Sequence, residues 1–417
     1  MPQNNLDVLI IGGGAAGLMA ALRAVECGCT VRVLEKMDHP GLKLSITGKG
    51  RGNFTTTHDM KKAIAAFGPN GNFLRGAFSR FYNKQLIELI ESLGVPLAEE
   101  QGHRIFPVNH TAREVTKIIV ENLIRSGVRI DTENKVLELD ITEGRVHGAC
   151  THQGPITAER TILCTGGVSY PGTGSSGDGF RFAAKAGHSI VDPRPALVPI
   201  TLHGDTHKEL SALSLRLVKV ALVDNGRVVQ EEFNDLLFTP YGVTGPAALC
   251  LGKEAAKLQG REGIELIINF KPALSIEQVQ NRLQRDFAEK GKKSLKEIMP
   301  GLLPRRAAPV VLYRAGLDPM LTGNQVTRAQ RDALVQQLTA FRLTVRGVRP
   351  IEEAIVTSGG VALDEINPKT MESRIVKNLY ICGEMLDLDA RTGGFNLQAA
   401  FSTGWVAGDA ACNACKA

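Results

Sequence analysis

Aromatic residues are scarce in this 417-residue chain: one Trp and five Tyr accompany fifteen Phe, 5% in all. So few rings leave little with which to stack unpaired bases, which argues against a surface built chiefly to read single-stranded nucleic acid. No apolar run reaches the roughly 18–20 residues that span a bilayer, so no membrane partner is expected. Met1-Pro2-Gln3-Asn4-Asn5 leads straight towards a strand without a signal-peptide pattern, and a cytoplasmic location is expected. Internal repeats and low-complexity linkers are absent, which excludes solenoids and disordered tethers. Neither charge sign dominates, with 49 Lys+Arg against 43 Asp+Glu.

What remains is a globular composition, 43% hydrophobic and 22% charged, on a chain long enough for two or three domains. Its 44 glycines suit a fold with many close backbone approaches. The eight cysteines are scattered. Cys164, Cys250 and Cys382 lie in apolar, strand-like segments and read as buried thiols. Cys27 and Cys29 close the first helix and read as packing. Cys412-Asn413-Ala414-Cys415 spells C-x-x-C, a redox spacing, but at a chain end where fraying is expected. Charge is unevenly spread: residues 276–350 carry fourteen Lys+Arg against six Asp+Glu, a net of +8, leaving −2 for the rest of a chain whose net is +6. Solvated helix faces explain most such runs; a docking surface for RNA or a phosphorylated cofactor is the alternative.

The first thirty-five residues read strand, glycine turn, helix, strand: Asp7–Ile11, Gly12–Gly17, Leu18–Glu26, Thr30–Glu35. Helical periodicity returns at Gln85–Leu93 and Ala112–Ile124, and Val136–Ala149 alternates about Glu143-Gly144 as a hairpin. Thr161–Gly167 is a short buried strand ending on glycines. After about residue 190, proline-rich strands lead into alternating segments at Leu215–Val223 and Ile264–Phe270, suggesting an antiparallel sheet or small barrel. Residues 276–341 read as short basic helices broken by Pro300, Pro304 and Pro309. Asn378–Glu384 is a parallel-type strand before a long helix, Asn396–Cys412. The expected class is therefore α/β, with a Rossmann-type domain built from both chain ends and interrupted by a β domain and a helical segment. The expected boundaries are 1–190, 191–274 for the β insertion, 275–342 for the basic helices and 343–417 for the return.

Gly12-x-Gly14-x-x-Gly17 follows a strand, opens a helix, and precedes the acidic strand end Glu35 by about 20 residues. Gly12 permits the turn, Gly14 lets a pyrophosphate approach the backbone, and Gly17 allows the helix to pack on the sheet. The N–H groups of Ala15 and Ala16 face the phosphates. Glu35, followed by Lys36, accepts hydrogen bonds from the adenosine ribose. Two later segments favour FAD over NAD as the resident dinucleotide. Leu163-Cys164-Thr165-Gly166-Gly167 resembles a second dinucleotide contact at a strand end. Leu379–Glu384 resembles a C-terminal flavin signature, with Glu384 after Gly383 on the ribityl or phosphate side. Gly393-Gly394-Phe395-Asn396-Leu397 then aims a helix N-terminus at the flavin pyrimidine ring, where reduced flavin is negative. Ala400, Gly404 and Gly408, four residues apart, read as a packing stripe. A second G-x-G-x-x-G, Gly172–Gly177, lacks a preceding strand and an acidic partner; it reads as a loop beside the flavin, followed by Asp178-Gly179. A nicotinamide therefore has no domain of its own.

The string Gly41–Thr55 (GLKLSITGKGRGNFT), with Ser169–Gly179, Gly245-Pro246, Thr370–Ser373 and Gly383-Glu384 through Gln398, resembles the BaiN/YhiN-type, aminoacetone-oxidase-like FAD flavoproteins over nearly the whole chain. The resemblance implies a glutathione-reductase-like FAD domain with an inserted β-barrel-like domain and a small helical subdomain. It also implies that Lys43, Leu44, Thr47, Gly48, Gly50, Arg51 and Asn53 surround the isoalloxazine and that Val136 meets the adenine through its backbone. Two positions depart from the family pattern. Gly52 stands where a Cys is usual, and Thr239-Pro240 where Thr-His is usual, so two competent proton donors are missing.

Three activities are associated with that family: reduction of a conjugated C=C in oxo-steroid (bile-acid) intermediates, dihydrouridine formation in ribosomal RNA, and aminoacetone oxidation by O₂. The first two share hydride transfer from NAD(P)H through the flavin to an electron-poor carbon, followed by protonation of its neighbour. An enone-like small molecule is the expected substrate, stacked between Tyr170, the 41–55 loop and the insertion, with Tyr170 as candidate proton donor or, equally, a wall of the cofactor site. A flavin that merely props a binding module is the remaining reading.

Overall fold

The computed structural model describes residues 6–416. Met1–Asn5, expected to lead into the first strand, lie outside the described residues. The chain divides into two compact units, one running to Arg194 and resuming at Ile351, the other Pro195–Pro350.

The first unit is organised by a five-stranded parallel sheet in the order Leu379–Ile381, Arg160–Leu163, Val8–Ile11, Val31–Leu34, Arg129–Asp131. Val8–Ile11 is buried at every position, as a central parallel strand covered on both faces must be. The Ala15–Glu26 helix follows it directly. Against that helix lies Gly393–Lys416, longer than its apolar pattern predicts. The small-residue stripe sets their separation: a Cβ on Gly404 or Gly408 would lie 2.2 or 2.3 Å from the carbonyl oxygens of Ala16 and Ala20. The expected hairpin forms as Val136–Thr142 and Arg145–Thr151, with Glu143 (φ 51°) and Gly144 (φ 71°) both left-handed, the backbone a two-residue turn demands.

The cysteine reading changes here. Cys29 forms a disulfide with Cys412 across those two helices, so Cys29 is more than packing and the C-x-x-C does not pair within itself. Cys412 is buried because the last helix continues past it instead of fraying. Sequence spacing hid the pair, since 383 residues separate them.

The second unit contains a closed six-stranded antiparallel barrel: Ile200–Leu202, Gly242–Thr244, Arg227–Thr239, Ser214–Asp224, Ile264–Asn269 and Phe341–Val348. Phe341–Val348 alternates buried and exposed residues along its length and closes the barrel against Ile200–Leu202. The helices Ile276–Glu289 and Arg328–Thr339 contribute Val279, Leu283, Leu334 and Leu338 to the same core as Val220, Leu266 and Phe341. Pro309 does not break a helix as expected. It is the third residue of Ala307–Arg314, where an N–H has no intrahelical partner to lose. Cys250 is half-buried on the Pro246–Lys257 helix, not in a strand. Among the described residues no helix is long and apolar enough to cross a membrane.

Candidate functional site

An elongated cleft in the first unit opens at the carboxyl ends of the parallel strands, where open α/β sheets bind ligands. Its walls bring together segments far apart in sequence: the glycine turn, Leu34–Lys36, the 41–53 loop, Asn134–Val136, Cys164–Gly166, Thr173–Ser175 and the start of the last helix.

The glycine turn behaves as its spacing requires. Gly12 has φ +107°, and a Cβ there would lie 2.6 Å from the Cys164 carbonyl oxygen. Gly17 is tighter still, 1.9 Å from the Gly12 carbonyl oxygen, and it stands behind the cleft wall as a packing residue. A Cβ on Gly14 meets no heavy atom within 4 Å because it would project into the cleft. Gly14, Ala15 and Ala16 therefore present the helix N-terminus to open space, the geometry of an anion cradle. Beside it, Glu35 accepts from the N–H groups of Gly13 and Met37, each at 2.9 Å. Burial pushes its carboxyl above the ordinary value, and those two N–H bonds oppose the shift. Lys36 donates to Asp178 at 2.7 Å, pinning the loop formed by the second glycine motif at its end. That loop contributes Thr173, Gly174 and Ser175 to the same cleft and forms no second dinucleotide turn.

At the other end, Lys43 Nζ donates to Glu384 Oε2 at 2.6 Å and to Ser169 Oγ at 2.7 Å. Glu384 Oε1 accepts from the Thr357 N–H at 2.9 Å and from Ser169 Oγ at 3.2 Å, so both carboxylate oxygens are engaged. Asn396 holds the preceding loop by exchanging hydrogen bonds with the Ala390 N–H and C=O, both 2.9 Å. Leu44, Thr47, Gly48, Asn53, Val136, Thr165, Gly166, Gly383 and Leu397 also line the cleft.

Besides Gly17, five expected site residues do not: Gly50, Arg51, Gly167, Tyr170 and Gly394. Arg51 is exposed, paired with Glu100 and lying 4.4 Å from the Phe106 ring centroid, because the left-handed Gly50 turns the chain away. Gly167 packs on Thr357, and Gly394 packs on Asn53. Tyr170 is left-handed (φ 52°) and 38% exposed, and it precedes a single 3-10 turn outside the lining. The residues sequence reasoning missed include Asn134, Lys135, Ile355, Val356 and Thr403. Asn134 is the informative one: it is 1% exposed, and neither its Oδ1 nor its Nδ2 has a partner. Asn53 Oδ1 is likewise buried and unpartnered. A lone Asn in a loop carries no sequence signal; its meaning comes from lining a cleft whose occupant would satisfy it. Open space at Gly14 and orphaned polar atoms at Asn134 and Asn53 fit a dinucleotide with phosphates at its centre and polar rings at its ends.

Outside this cleft, Ser373 of the Thr370–Ser373 motif joins His188 and Glu365 in a Ser–His–Glu array. His188 Nδ1 donates to Glu365 at 2.9 Å, and Nε2 lies 2.8 Å from Ser373 Oγ. Ser373 Oγ also accepts from the N–H groups of Ile375 and Val376, and the His188 side chain is 0% exposed. The array is a saturated internal staple, not a nucleophile.

The profile of the HI0933-like protein Rossmann domain matches residues 6–410. The chain belongs to that family. A 3-dehydro-bile acid delta(4,6)-reductase of Clostridium scindens is 30% identical over 408 residues, covering 96% of this chain and 98% of the relative. A ribosomal RNA dihydrouridine synthase of Escherichia coli is 31% identical over 407 residues, covering 97% of each. The solved 3-ketosteroid delta1-dehydrogenase of Sterolibacterium denitrificans shares the fold at 14% identity, TM-score 0.56, covering 99% of this chain and 100% of that one. This HI0933-like protein is an FAD-dependent oxidoreductase with a Rossmann-type FAD-binding fold.

Proposed function

We propose that the protein reduces a C=C bond conjugated to a carbonyl in an oxo-steroid-like (bile-acid type) small molecule, in the cytoplasm, with NAD(P)H as a transient hydride donor. The observation that carries this reading is the bond change shared by the two near-full-length relatives. A 3-dehydro-bile acid delta(4,6)-reductase and a dihydrouridine synthase both saturate a C=C made electron-poor by a nearby carbonyl.

FAD, when bound, supplies two-electron hydride chemistry. The chain's residues divide the remaining work. Gly14, Ala15 and Ala16 would hold the pyrophosphate, and Glu35 with Asn134 the adenosine. The N-terminus of the Gly393–Lys416 helix and the Lys43 ammonium would sit against the ring, where negative charge on reduction is stabilised. Glu384 and Ser169 accept from Lys43 and fix the position of its Nζ. The second glycine motif contributes to the same cleft, so the nicotinamide has no glycine turn of its own and is expected to dock transiently.

The second reading, dihydrouridine formation in ribosomal RNA, is favoured by the 31% identical relative and by the net +8 of residues 276–350. The aminoacetone-type amine-oxidase reading has weaker support, from an L-aspartate oxidase 27% identical over 58% of this chain, and a non-catalytic flavin-stabilised binder has none. Anaerobic stopped-flow reduction by NADH and by NADPH, followed at the flavin absorbance, tests the proposal. Fast bleaching, reoxidised by a 3-oxo-Δ4 steroid and not by uridine-containing RNA, is expected. Bleaching reoxidised only by RNA moves the assignment to the second reading; reduction by a small amine alone overturns both.

A further inference from the structure

A second cleft, of about 650 Å³, lies wholly within the barrel unit, between Thr201–Lys208, Pro240-Tyr241 and the end of the Phe341–Val348 strand. Its basic side chains are His203, His207, Lys208, Arg346 and Arg349 against one acid, Asp205. Lys208 donates to that acid at 2.7 Å, so the pair is internally neutralised. Arg346 is exposed and has no ion-pair partner among the described residues. The Arg349 guanidinium carbon lies 4.8 Å from the Tyr241 ring centroid, a stacked arrangement that holds the planar fork at the cleft.

His207 supplies the decisive observation. It is 3% exposed and lines the cleft, and its Nδ1 is buried without a hydrogen-bond partner. In the imidazolium form Nδ1 carries a proton and can donate. A buried ring nitrogen left unpaired in the same cleft as Arg346, which has no ion-pair partner among the described residues, points to a missing anionic partner.

We propose that this cleft binds a phosphate group, held by the guanidinium groups of Arg346 and Arg349 and by the imidazolium Nδ1–H of His207. Nothing in this assignment depends on the flavin cleft. Binding is coupled to proton uptake. Without the anion, burial holds the His207 pKa below its ordinary value, with Lys208 acting in the same direction and the Pro240 carbonyl and Asp205 opposing. His203, Arg346 and Arg349 are the other charged or titratable groups of the cleft. A bound dianion adds the negative charge that favours imidazolium, so phosphate binds more tightly on the acid side of neutrality.

The test is calorimetric titration of the flavin-loaded full-length protein with inorganic phosphate, against chloride at matched ionic strength, at about pH 6 and about pH 8. Phosphate is expected to bind in preference to chloride, and more tightly at the lower pH. Arg346→Glu, on an exposed side chain, should weaken it by about tenfold or more while leaving flavin spectrum and Tm unchanged. His207→Gln should remove the tightening at the lower pH, leaving only the dependence that comes from phosphate's own ionisation. Phosphate no better than chloride, or unaltered affinity in folded Arg346→Glu, overturns the proposal. Competition identifies the source: displacement by a nucleoside monophosphate indicates a terminal phosphate, and displacement by an RNA oligomer without terminal phosphates indicates a backbone phosphodiester.

Discussion

Ala substituted for Gly17 and for Gly14 separates the two jobs of one motif. At Gly17 the added methyl lies 1.9 Å from the Gly12 carbonyl oxygen and 3.0 Å from Cys164 Sγ. The oxygen belongs to the turn that Gly12 holds at φ +107°, so relief requires the Ala15–Glu26 helix to move off the sheet. Overpacking of rigid backbone costs about 3 kcal/mol or more. For a unit of this size that lowers Tm by roughly 6 °C or more. At Gly14 the backbone (φ −80°, ψ −169°) suits any L residue, and no heavy atom lies within 4 Å of the new methyl. The apo-protein should therefore keep its Tm to within roughly 2 °C. FAD binding should suffer, because the methyl occupies the phosphate's place against the helix N–H groups. Loss of one charge-assisted hydrogen bond, about 1.5–3 kcal/mol, weakens Kd by about 10- to 150-fold. Apo-protein melting and FAD titration by flavin fluorescence quenching read the two effects separately. Wild-type FAD affinity in Gly14→Ala, or apo-Gly14→Ala melting as low as apo-Gly17→Ala, would refute the assignment.

Tyr170→Phe should change kcat with the best acceptor by less than about threefold, since a general acid contributes about 10²–10⁴ and this phenol stands outside the cleft; a hundredfold loss would restore it as proton donor. Burial holds the His188 pKa below its ordinary value against the opposing Glu365, so the unfolded chain takes up that proton first as pH falls. Stability contributed there is complete above about pH 6.5 and declines below it, and His188→Gln should flatten the Tm-versus-pH curve in that window. Closing a loop as long as the Cys29–Cys412 separation of 383 residues stabilises by roughly 6 kcal/mol at most in the chain-entropy treatment. Cys412→Ser should therefore lower Tm only relative to the oxidised protein and match wild type in excess reductant; equal Tm values under oxidising conditions would count against the bond. Gly52→Cys, which puts the family's usual thiol where φ is +80° and a Cβ lies 2.7 Å from the buried Phe54 ring, should lower Tm by several degrees, with no gain of activity.

The Rossmann half of the fold was legible because its signals are local. A buried run, a glycine turn, a helix and an acidic strand end fall within Asp7–Glu35, and each dictates backbone geometry by its own sterics. Alternation along Leu215–Val223 and Ile264–Phe270 likewise announced two of the barrel strands, whereas Phe341–Val348 was not anticipated. Tertiary structure alone decided which of these segments share a cavity. Asn134 and Thr403 came to line the cleft, and Arg51 and Tyr170 lie outside it, through chain turns that one-dimensional spacing does not encode. The Cys29–Cys412 disulfide and the cluster of His207, Arg346 and Arg349 arise in the same way. Periodicity reports the face a residue presents within its own element, whereas partners hundreds of residues away are chosen by how those elements pack.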